Sequence, residues 1–217
     1  MTPRLFVKIC GLRDRAALDA AIDAGADAVG FVFAPGSPRL IDADAARELV
    51  ARAPADCETV GVFRNQPVDE VLRTAAAAGL MTVQLHGTEP PTDFERLTAE
   101  GFRSIRALSS ETYLRECGAR AHGRCERGDD AGAQRLLIDA PSPGEGRRFD
   151  TTELAASAPV GFWLLAGGLS PDNVAAAVAA TSPSGVDVSS GVESSRGVKD
   201  VTLIRRFVAA ARAASLA

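Results

Sequence analysis

The sequence is poor in histidine, in paired cysteines and in long apolar runs. Its two histidines are far apart and form no recognised ligand set with the cysteines, so we expect no metal site. The four cysteines include no CxxC pair, which favours reduced thiols. No stretch of about 18 apolar residues runs unbroken, and no basic leader precedes the first apolar segment. We therefore expect a cytoplasmic protein that is neither secreted nor membrane-spanning.

The chain also lacks the usual signals of nucleic-acid and nucleotide binding. Its formal net charge is -4, and arginine and aspartate are interspersed, so no basic stripe is available for a nucleic acid backbone. No GxGxxG or P-loop pattern follows any predicted strand. The expected partner is a small molecule.

Short apolar runs alternate with helical patterns along the chain. Strands are predicted near 5–10, 28–33, 58–63, 81–85, 103–107, 135–138, 162–166 and 185–188. Helices are predicted near 14–24, 43–53, 67–78, 91–99, 151–157, 171–180 and 200–214. Near-continuous apolar strands that alternate with helices favour a parallel sheet covered by helices. With 217 residues the chain suits one (β/α)8 TIM barrel of the α/β class, slightly below the usual ~250 residues.

Local signals mark the ends of several helices. Asp14 and Asp42 are expected to start the first and second helices, and Ser170-Pro171 is expected to cap the seventh. Glycines such as Gly79 should end helices. We predict a single domain over 1–217, with a weakly structured excursion at 109–134 around a short fifth helix, because that region is poor in apolar residues and 118–132 has no helical period.

Catalytic groups in such a barrel come from the C-terminal ends of the strands. Cys10 is either a small buried apolar residue or a reactive thiol at the end of strand one. Asp139 is either a turn aspartate or a general acid at the mouth of strand six. Arg39 is a surface charge or a bidentate partner for a substrate carboxylate. His86 is a core residue or part of the site.

Two inward-facing charges are predicted in the barrel interior. Asp187 alternates with Val186 and Val188, and valine suits the layer between strands and helices, so Asp187 should face inward. Lys8 points the same way as Cys10, and a buried ammonium needs a partner. Because barrel closure brings strand eight beside strand one, we expect Lys8 to pair with Asp187. Lys8 is also a cation that could lower the pKa of Cys10.

Strands seven and eight both end in small residues, which predicts a phosphate site. Backbone without bulky side chains can bring its N–H groups close to an anion. Barrels of this kind frequently bind phosphate with the loops after strands seven and eight. The predicted phosphate-binding residues are Gly167, Gly168, Ser189, Ser190 and Gly191.

Several segments together resemble one enzyme family. They are KICGL at 8–12, VGFVF at 29–33, SPR at 37–39, VGVFRN at 60–65, VQLHG at 83–87, LLID at 136–139, LAGGLSPDNV at 165–174 and GVDVSSGVE at 185–193. Over nearly the whole chain this combination resembles phosphoribosylanthranilate isomerase of tryptophan biosynthesis. The resemblance implies an Amadori rearrangement of N-(5-phosphoribosyl)anthranilate, a phosphosugar, to 1-(2-carboxyphenylamino)-1-deoxyribulose 5-phosphate, with no cofactor. We expect a monomer or a homodimer.

The resemblance also implies a role for each site residue. Asp139 protonates the furanose oxygen and opens the ring to a Schiff base. Cys10 then removes the proton from the adjacent sugar carbon. Arg39 holds the anthranilate carboxylate, with His86 and Asp187 as further substrate-binding residues, and the small residues after strands seven and eight hold the phosphate.

Two other functions remain open. A histidine-pathway or bifunctional phosphoribosyl isomerase runs the same rearrangement on a bulkier substrate with two phosphates, but those enzymes have an aspartate where this chain has Cys10. A non-catalytic phosphosugar-binding barrel would need neither Cys10 nor Asp139.

The chain departs from the family at 143–150, where PGEGRRFD replaces a loop of the GGTGKTFD type.

Overall fold

The computed structural model describes residues 4–118, 127–128, 134–139 and 151–214. Eight parallel strands close into a barrel and follow one another around the ring in chain order. They are β1 (Phe6–Cys10), β2 (Ala28–Val32), β3 (Glu58–Phe63), β4 (Thr82–Leu85), β5 (Arg103–Ser109), β6 (Gln134–Asp139), β7 (Trp163–Ala166) and β8 (Gly185–Val188). The predicted (β/α)8 TIM barrel is confirmed.

A helix follows each barrel strand. The helices are α1 (Arg15–Asp23), α2 (Ala43–Val50), α3 (Val68–Ala78), α4 (Pro91–Ala99), α5 (Ser110–Gly118), α6 (Thr151–Ala156), α7 (Val174–Thr181) and α8 (Val201–Ala214). Within the predicted excursion at 109–134, Ser109 ends β5 and Gln134 begins β6, and the other described residues form α5 and a two-residue strand, Arg127–Gly128, beside Val160–Gly161. The rest of that excursion and the loop at 143–150 lie outside the described residues. That residues 1–217 form one domain stays a prediction.

The helix ends follow local side-chain chemistry. Asp14 accepts a hydrogen bond from the amide of Ala17 at 2.9 Å, and Asp42 accepts one from the amide of Ala45 at 2.8 Å, so both are N-caps as predicted. Gly79 ends α3 with a φ of 70°, a left-handed conformation that glycine adopts without a steric penalty.

The start of α7 differs from the prediction. Ser170 and Pro171 do not begin this helix, whose N-cap residue is Asn173. The side chain of Asn173 accepts a hydrogen bond from the Ser170 amide at 2.7 Å and donates one to the Gly168 carbonyl at 2.9 Å. These bonds hold a turn at 170–173 that leads directly into the helix, which begins at Val174, so the predicted cap at Ser170-Pro171 was wrong.

Side chains of the strands point alternately into the barrel and towards the helices. Val186 and Val188 pack in the layer between strands and helices. Lys8, Cys10 and Asp187 are also buried, but they lie inside the barrel, so the predicted inward orientation of Asp187 is confirmed. Below these polar groups the interior is filled by an apolar cluster that includes Ala28, Val60, Ile105, Leu137 and Leu164. The barrel is therefore closed at its centre and open for binding at the C-terminal ends of the strands.

Candidate active site

A cavity of about 1040 Å³ opens at the C-terminal ends of the strands. Its size is at the upper end of the ~300–1,000 Å³ typical of small-molecule sites. Nine of the ten predicted site residues line it: Cys10, Arg39, His86, Asp139, Gly167, Gly168, Asp187, Ser189 and Ser190. Gly191 does not line the cavity. A side chain at Gly191 would collide with the carbonyl oxygen of Leu169, so its glycine lets the loops after β7 and β8 approach each other.

Cys10 ends β1, and its thiol lies at the mouth of the barrel. The residue is buried, with 5% of its surface exposed. Gly30 of β2 stands beside it in register, and a Cβ there would lie 2.8 Å from the Cys10 Sγ. Burial raises the pKa of Cys10 above its ordinary value, and Asp187 adds to this, while Lys8 and Lys199 act in the opposite direction. Lys8 thus has the predicted lowering effect on the pKa of Cys10, but burial outweighs it.

Lys8 and Asp187 form the predicted ion pair. The Lys8 Nζ lies 2.9 Å from the Asp187 Oδ1, and the two residues are paired in register across β1 and β8. The lysine side chain is 0% exposed. Burial alone would lower the pKa of Lys8, but the neighbouring Asp187 and Cys10 raise it above its ordinary value. The ammonium therefore stays charged in the barrel interior.

Asp139 and His86 meet at the cavity wall. The Nε2 of His86, which directly follows β4, lies 3.2 Å from the Oδ2 of Asp139 at the end of β6. The Nδ1 of His86 lies 3.2 Å from the Nε2 of Gln84, and the Oε1 of Gln84 accepts a hydrogen bond from the Lys8 Nζ at 3.1 Å. His86 therefore supports the Asp139 carboxylate in addition to lining the cavity.

Arg39 lines the cavity, but part of its guanidinium is already paired. Its Nε and Nη2 donate to the two carboxylate oxygens of Glu193 at 2.6 and 3.0 Å, and Lys199 donates to the same carboxylate at 2.9 Å. Burial alone would raise the pKa of Glu193, but hydrogen bonds from these cations and from the Gly197 amide lower it to about 2. The bidentate partner of Arg39 is therefore an internal carboxylate, while its Nη1 has no hydrogen-bond partner among the described residues.

The loops after β7 and β8 present backbone N–H groups side by side. Gly167 and Gly168 have φ values of 88° and 59°, in the left-handed region. The N–H groups of Gly167, Gly168, Ser189 and Ser190 donate no hydrogen bond to any described residue. Free N–H groups at adjacent strand ends form a concavity suited to an anion. The hydroxyl of Ser189 donates to the carbonyl of Cys10 at 3.2 Å, so this residue offers mainly its backbone.

Three residues in the hydrogen-bond network around the candidate site were not identified from the sequence. Gln84 stands two residues before His86, and the period of two along a strand was a signal that both face inward. Glu193 and Lys199 pair across a short antiparallel hairpin that follows β8. These two residues carry opposite charges on either side of Gly197, and that pattern was the available sequence signal for an ion pair across a turn.

Two further findings apply to the described parts of the chain. No helix there is both long and apolar enough to cross a membrane. No group of three or more histidine, cysteine, aspartate or glutamate side chains there is arranged to hold a metal ion.

Comparison with known proteins points to one enzyme family. The family model described as N-(5'phosphoribosyl)anthranilate (PRA) isomerase matches residues 7–210. The N-(5'-phosphoribosyl)anthranilate isomerase of Myxococcus xanthus (strain DK1622) is 42% identical over 214 residues, and the match covers 97% of each chain.

Two solved structures share the fold over nearly the full length. The crystal structure of TrpF from Jonesia denitrificans matches with a TM-score of 0.82 and 42% identity, covering 97% of this chain and 98% of that one. A phosphoribosyl anthranilate isomerase in complex with reduced 1-(o-carboxyphenylamino)-1-deoxyribulose 5-phosphate matches with a TM-score of 0.80 and 32% identity, covering 96% and 99%. The chain belongs to the N-(5'-phosphoribosyl)anthranilate isomerase family.

Proposed function

We propose that the cavity binds N-(5'-phosphoribosyl)anthranilate and that the chain catalyses its Amadori rearrangement to 1-(2-carboxyphenylamino)-1-deoxyribulose 5-phosphate in tryptophan biosynthesis. The observation that carries this proposal is the position of Cys10 and Asp139, which line one cavity from the ends of β1 and β6. These strands are separated by β7 and β8 on one side of the ring, so a substrate between them can be reached from two directions.

Asp139 carries out the first proton transfer, as the general acid. It donates a proton to the furanose ring oxygen, and the bond between that oxygen and C1 breaks. The lone pair of the anilino nitrogen forms the C=N bond of the Schiff base. Asp139 is left as a carboxylate, and its Oδ2 faces the Nε2 of His86. General acid help of this kind is typically worth about 10²–10⁴-fold in rate.

Cys10 carries out the second proton transfer, as the general base. Its thiolate removes the proton from C2, the C–H electrons form the C1=C2 double bond, and the C=N electrons return to nitrogen. The resulting enolamine becomes the ketone when the C2 hydroxyl loses a proton and C1 gains one. Atoms and electrons balance over these steps without an added oxidant or reductant. Because burial raises the pKa of Cys10, the reacting thiolate is a minor species near neutral pH.

The remaining residues bind the two anionic ends of the substrate. We assign the anthranilate carboxylate to the Nη1 of Arg39, which stays available because Nε and Nη2 donate to Glu193. The phosphate is suited to the free backbone N–H groups after β7 and β8, which belong to Gly167, Gly168, Ser189 and Ser190. Asp187 acts through Lys8 and keeps that cation beside the base.

Turnover of the two candidate substrates tests the proposal. Phosphoribosylanthranilate is generated in situ, and its consumption is followed with and without the purified protein. We expect a rate well above the spontaneous background, and no acceleration would refute the proposed activity. The histidine-pathway aldose is the matched second substrate. Turnover of that substrate instead would favour the alternative isomerase, which the cysteine at position 10 argues against.

The wider setting of the enzyme stays a prediction. We propose a cytoplasmic protein that acts on a small phosphosugar as a monomer or a homodimer. Light scattering coupled to size-exclusion chromatography distinguishes the 22.5 kDa chain from a dimer of twice that mass.

A further inference from the structure

Five side chains form a continuous hydrogen-bonded chain across the barrel interior, which we call the polar chain. It runs from Asp187 to Lys8 (2.9 Å), from Lys8 to Gln84 (3.1 Å), from Gln84 to His86 (3.2 Å) and from His86 to Asp139 (3.2 Å). It starts at the ion pair beside Cys10 and ends at the proposed acid. The two ends of the active site are therefore joined by side chains whose hydrogen bonds depend on one another.

The orientation of the Gln84 amide follows from its neighbour on β1. An ammonium group has only donors, so the Gln84 atom that faces the Lys8 Nζ must be the carbonyl oxygen. The amide nitrogen must then face the other way, towards the Nδ1 of His86. Gln84 is 1% exposed and Lys8 is fully buried, so neither has the freedom of a surface side chain to turn around. Lys8 thus fixes which end of Gln84 the imidazole meets.

The orientation of Gln84 in turn selects one tautomer of His86. Because the Gln84 NH₂ group donates, the Nδ1 of His86 must accept, and a proton on Nδ1 would face another donor. In the neutral ring the proton then sits on Nε2 and is donated to the Oδ2 of Asp139, 3.2 Å away. The hydrogen-bond pattern along the polar chain therefore favours the neutral Nε2–H form.

This tautomer decides which oxygen of Asp139 can carry the acid proton. Oδ2 accepts from His86, whereas Oδ1 has no hydrogen-bond partner among the described residues. When Asp139 is protonated, its proton therefore belongs on Oδ1. After that proton has left for the substrate, the Nε2–H group stabilises the remaining carboxylate.

We propose that Gln84 is a positioning residue, which, fixed by Lys8, holds His86 as the Nε2–H tautomer so that the acid proton of Asp139 is presented on Oδ1. The consequence for the reaction rests on the proposed function. The tautomer itself does not, because it follows from the hydrogen bonds of the free protein. Among the described residues the Gln84 side chain bonds to Lys8 and His86 and to none of the proposed carboxylate- or phosphate-binding residues, so its loss should change kcat much more than KM.

The tautomer is measured by NMR on protein labelled with ¹⁵N in histidine. The chain has only two histidines, His86 and His122, so a His122→Gln variant assigns the signals. A protonated and an unprotonated ring nitrogen have well-separated ¹⁵N shifts. We expect wild-type His86 to carry its proton on Nε2 and to leave Nδ1 unprotonated. A proton on Nδ1 in the wild type would overturn the proposal, and this measurement needs neither substrate nor a variant at Gln84.

Two substitutions of similar size then test the role of Gln84. Gln84→Met removes both hydrogen bonds, so His86 should populate both tautomers. Gln84→Glu replaces the donor by an acceptor, so a proton should appear on Nδ1. For both variants we expect kcat to fall by about tenfold or more, but by less than the ~10²–10⁴-fold of losing the acid itself, with KM changed by less than about threefold. An unchanged tautomer with kcat within about twofold of wild type would refute the positioning role.

Thr82→Val is the matched control on the same strand. Thr82 is also buried, but its hydroxyl bonds to Glu58 at the opposite end of the barrel from the cavity. This variant should lose stability while the His86 tautomer and kcat stay as in wild type. A similar fall in kcat in Thr82→Val would show that Gln84 acts only through barrel stability. If wild-type protein shows the expected tautomer but no turnover, the proposed function fails and the assignment of the tautomer stands.

Discussion

Replacing Lys8 by methionine removes the cation from the barrel interior while keeping most of the side-chain volume. Its Nζ lies 2.9 Å from the Asp187 Oδ1, and the two side chains are 0% and 9% exposed. Breaking a buried ion pair by removing one partner costs about 3–5 kcal/mol, because the other charge stays buried without compensation. Gln84 loses its donor as well, so we place the expected loss near the upper end, at about 4–5 kcal/mol.

Thermal and urea unfolding of Lys8→Met measure this loss. For a domain of this size each kcal/mol corresponds to about 2–4 °C, so Tm should fall by about 8–20 °C. A double variant, Lys8→Met with Asp187→Leu, should recover most of the stability, since replacing both partners of a buried pair by apolar residues is often nearly neutral. A loss below about 1 kcal/mol in Lys8→Met would show that the buried pair does not stabilise the barrel. The same holds if the double variant loses as much stability as Lys8→Met and Asp187→Leu added together.

The sign of the pH dependence follows from the raised pKa of Lys8. A group whose pKa is higher in the folded state adds stability that is fully present below its unfolded pKa, about 10.4 for lysine. That stability is lost as the pH rises through the folded pKa. The difference between wild type and Lys8→Met should therefore stay constant between about pH 6 and 9 and shrink only in stronger alkali.

Three further predictions concern the cavity. Arg39→Ala removes the cation proposed for the anthranilate carboxylate, so KM should rise at least about tenfold, or about 1.4 kcal/mol. It should also lower Tm, because Glu193 loses its bidentate partner. Unchanged steady-state kinetics would remove Arg39 from the site. Gly30→Ala places a Cβ 2.8 Å from the Cys10 Sγ, so kcat should fall by about 10–10²-fold as the thiol is displaced, and a variant with normal kcat would contradict the close packing. An acid and a base in the free enzyme give kcat/KM a bell-shaped dependence on pH. Its fall at high pH should come above pH 9.0, the ordinary pKa of a thiol, because burial raises the pKa of Cys10. A fall below pH 9.0 would show that the pKa of Cys10 is lowered in the free enzyme.

The barrel could be predicted from the sequence because each strand is a short apolar run with a recognisable end. The alternation of side chains along each strand was enough to place Asp187 and Lys8 inside the barrel. Closure of the barrel then brought their two strands together and paired them. The positions of Cys10 and Asp139 at the cavity followed from their places at strand ends, while their catalytic roles stay a proposal. All of these inferences depend on local pattern and on the ring order of the strands, both of which the sequence carries.

Other features depend on contacts between distant parts of the chain. The pairing of Arg39 with Glu193 joins the loops after β2 and β8, and no local pattern links residues so far apart. The pKa of Cys10 depends on the balance between burial and nearby cations, which requires the three-dimensional arrangement. The start of α7 was missed because the side chain of Asn173 holds a turn that a Ser-Pro pair does not reveal.

The turnover number of Cys10→Ala is the decisive measurement for the proposed division of the two proton transfers. If the Cys10 thiolate is the base and Asp139 the acid at the two sides of one cavity, kcat should fall by at least about 10²-fold, with KM changed by less than about threefold and Tm unaltered. Near-normal turnover in Cys10→Ala would show that Cys10 is not the base and would make Asp187 the next candidate.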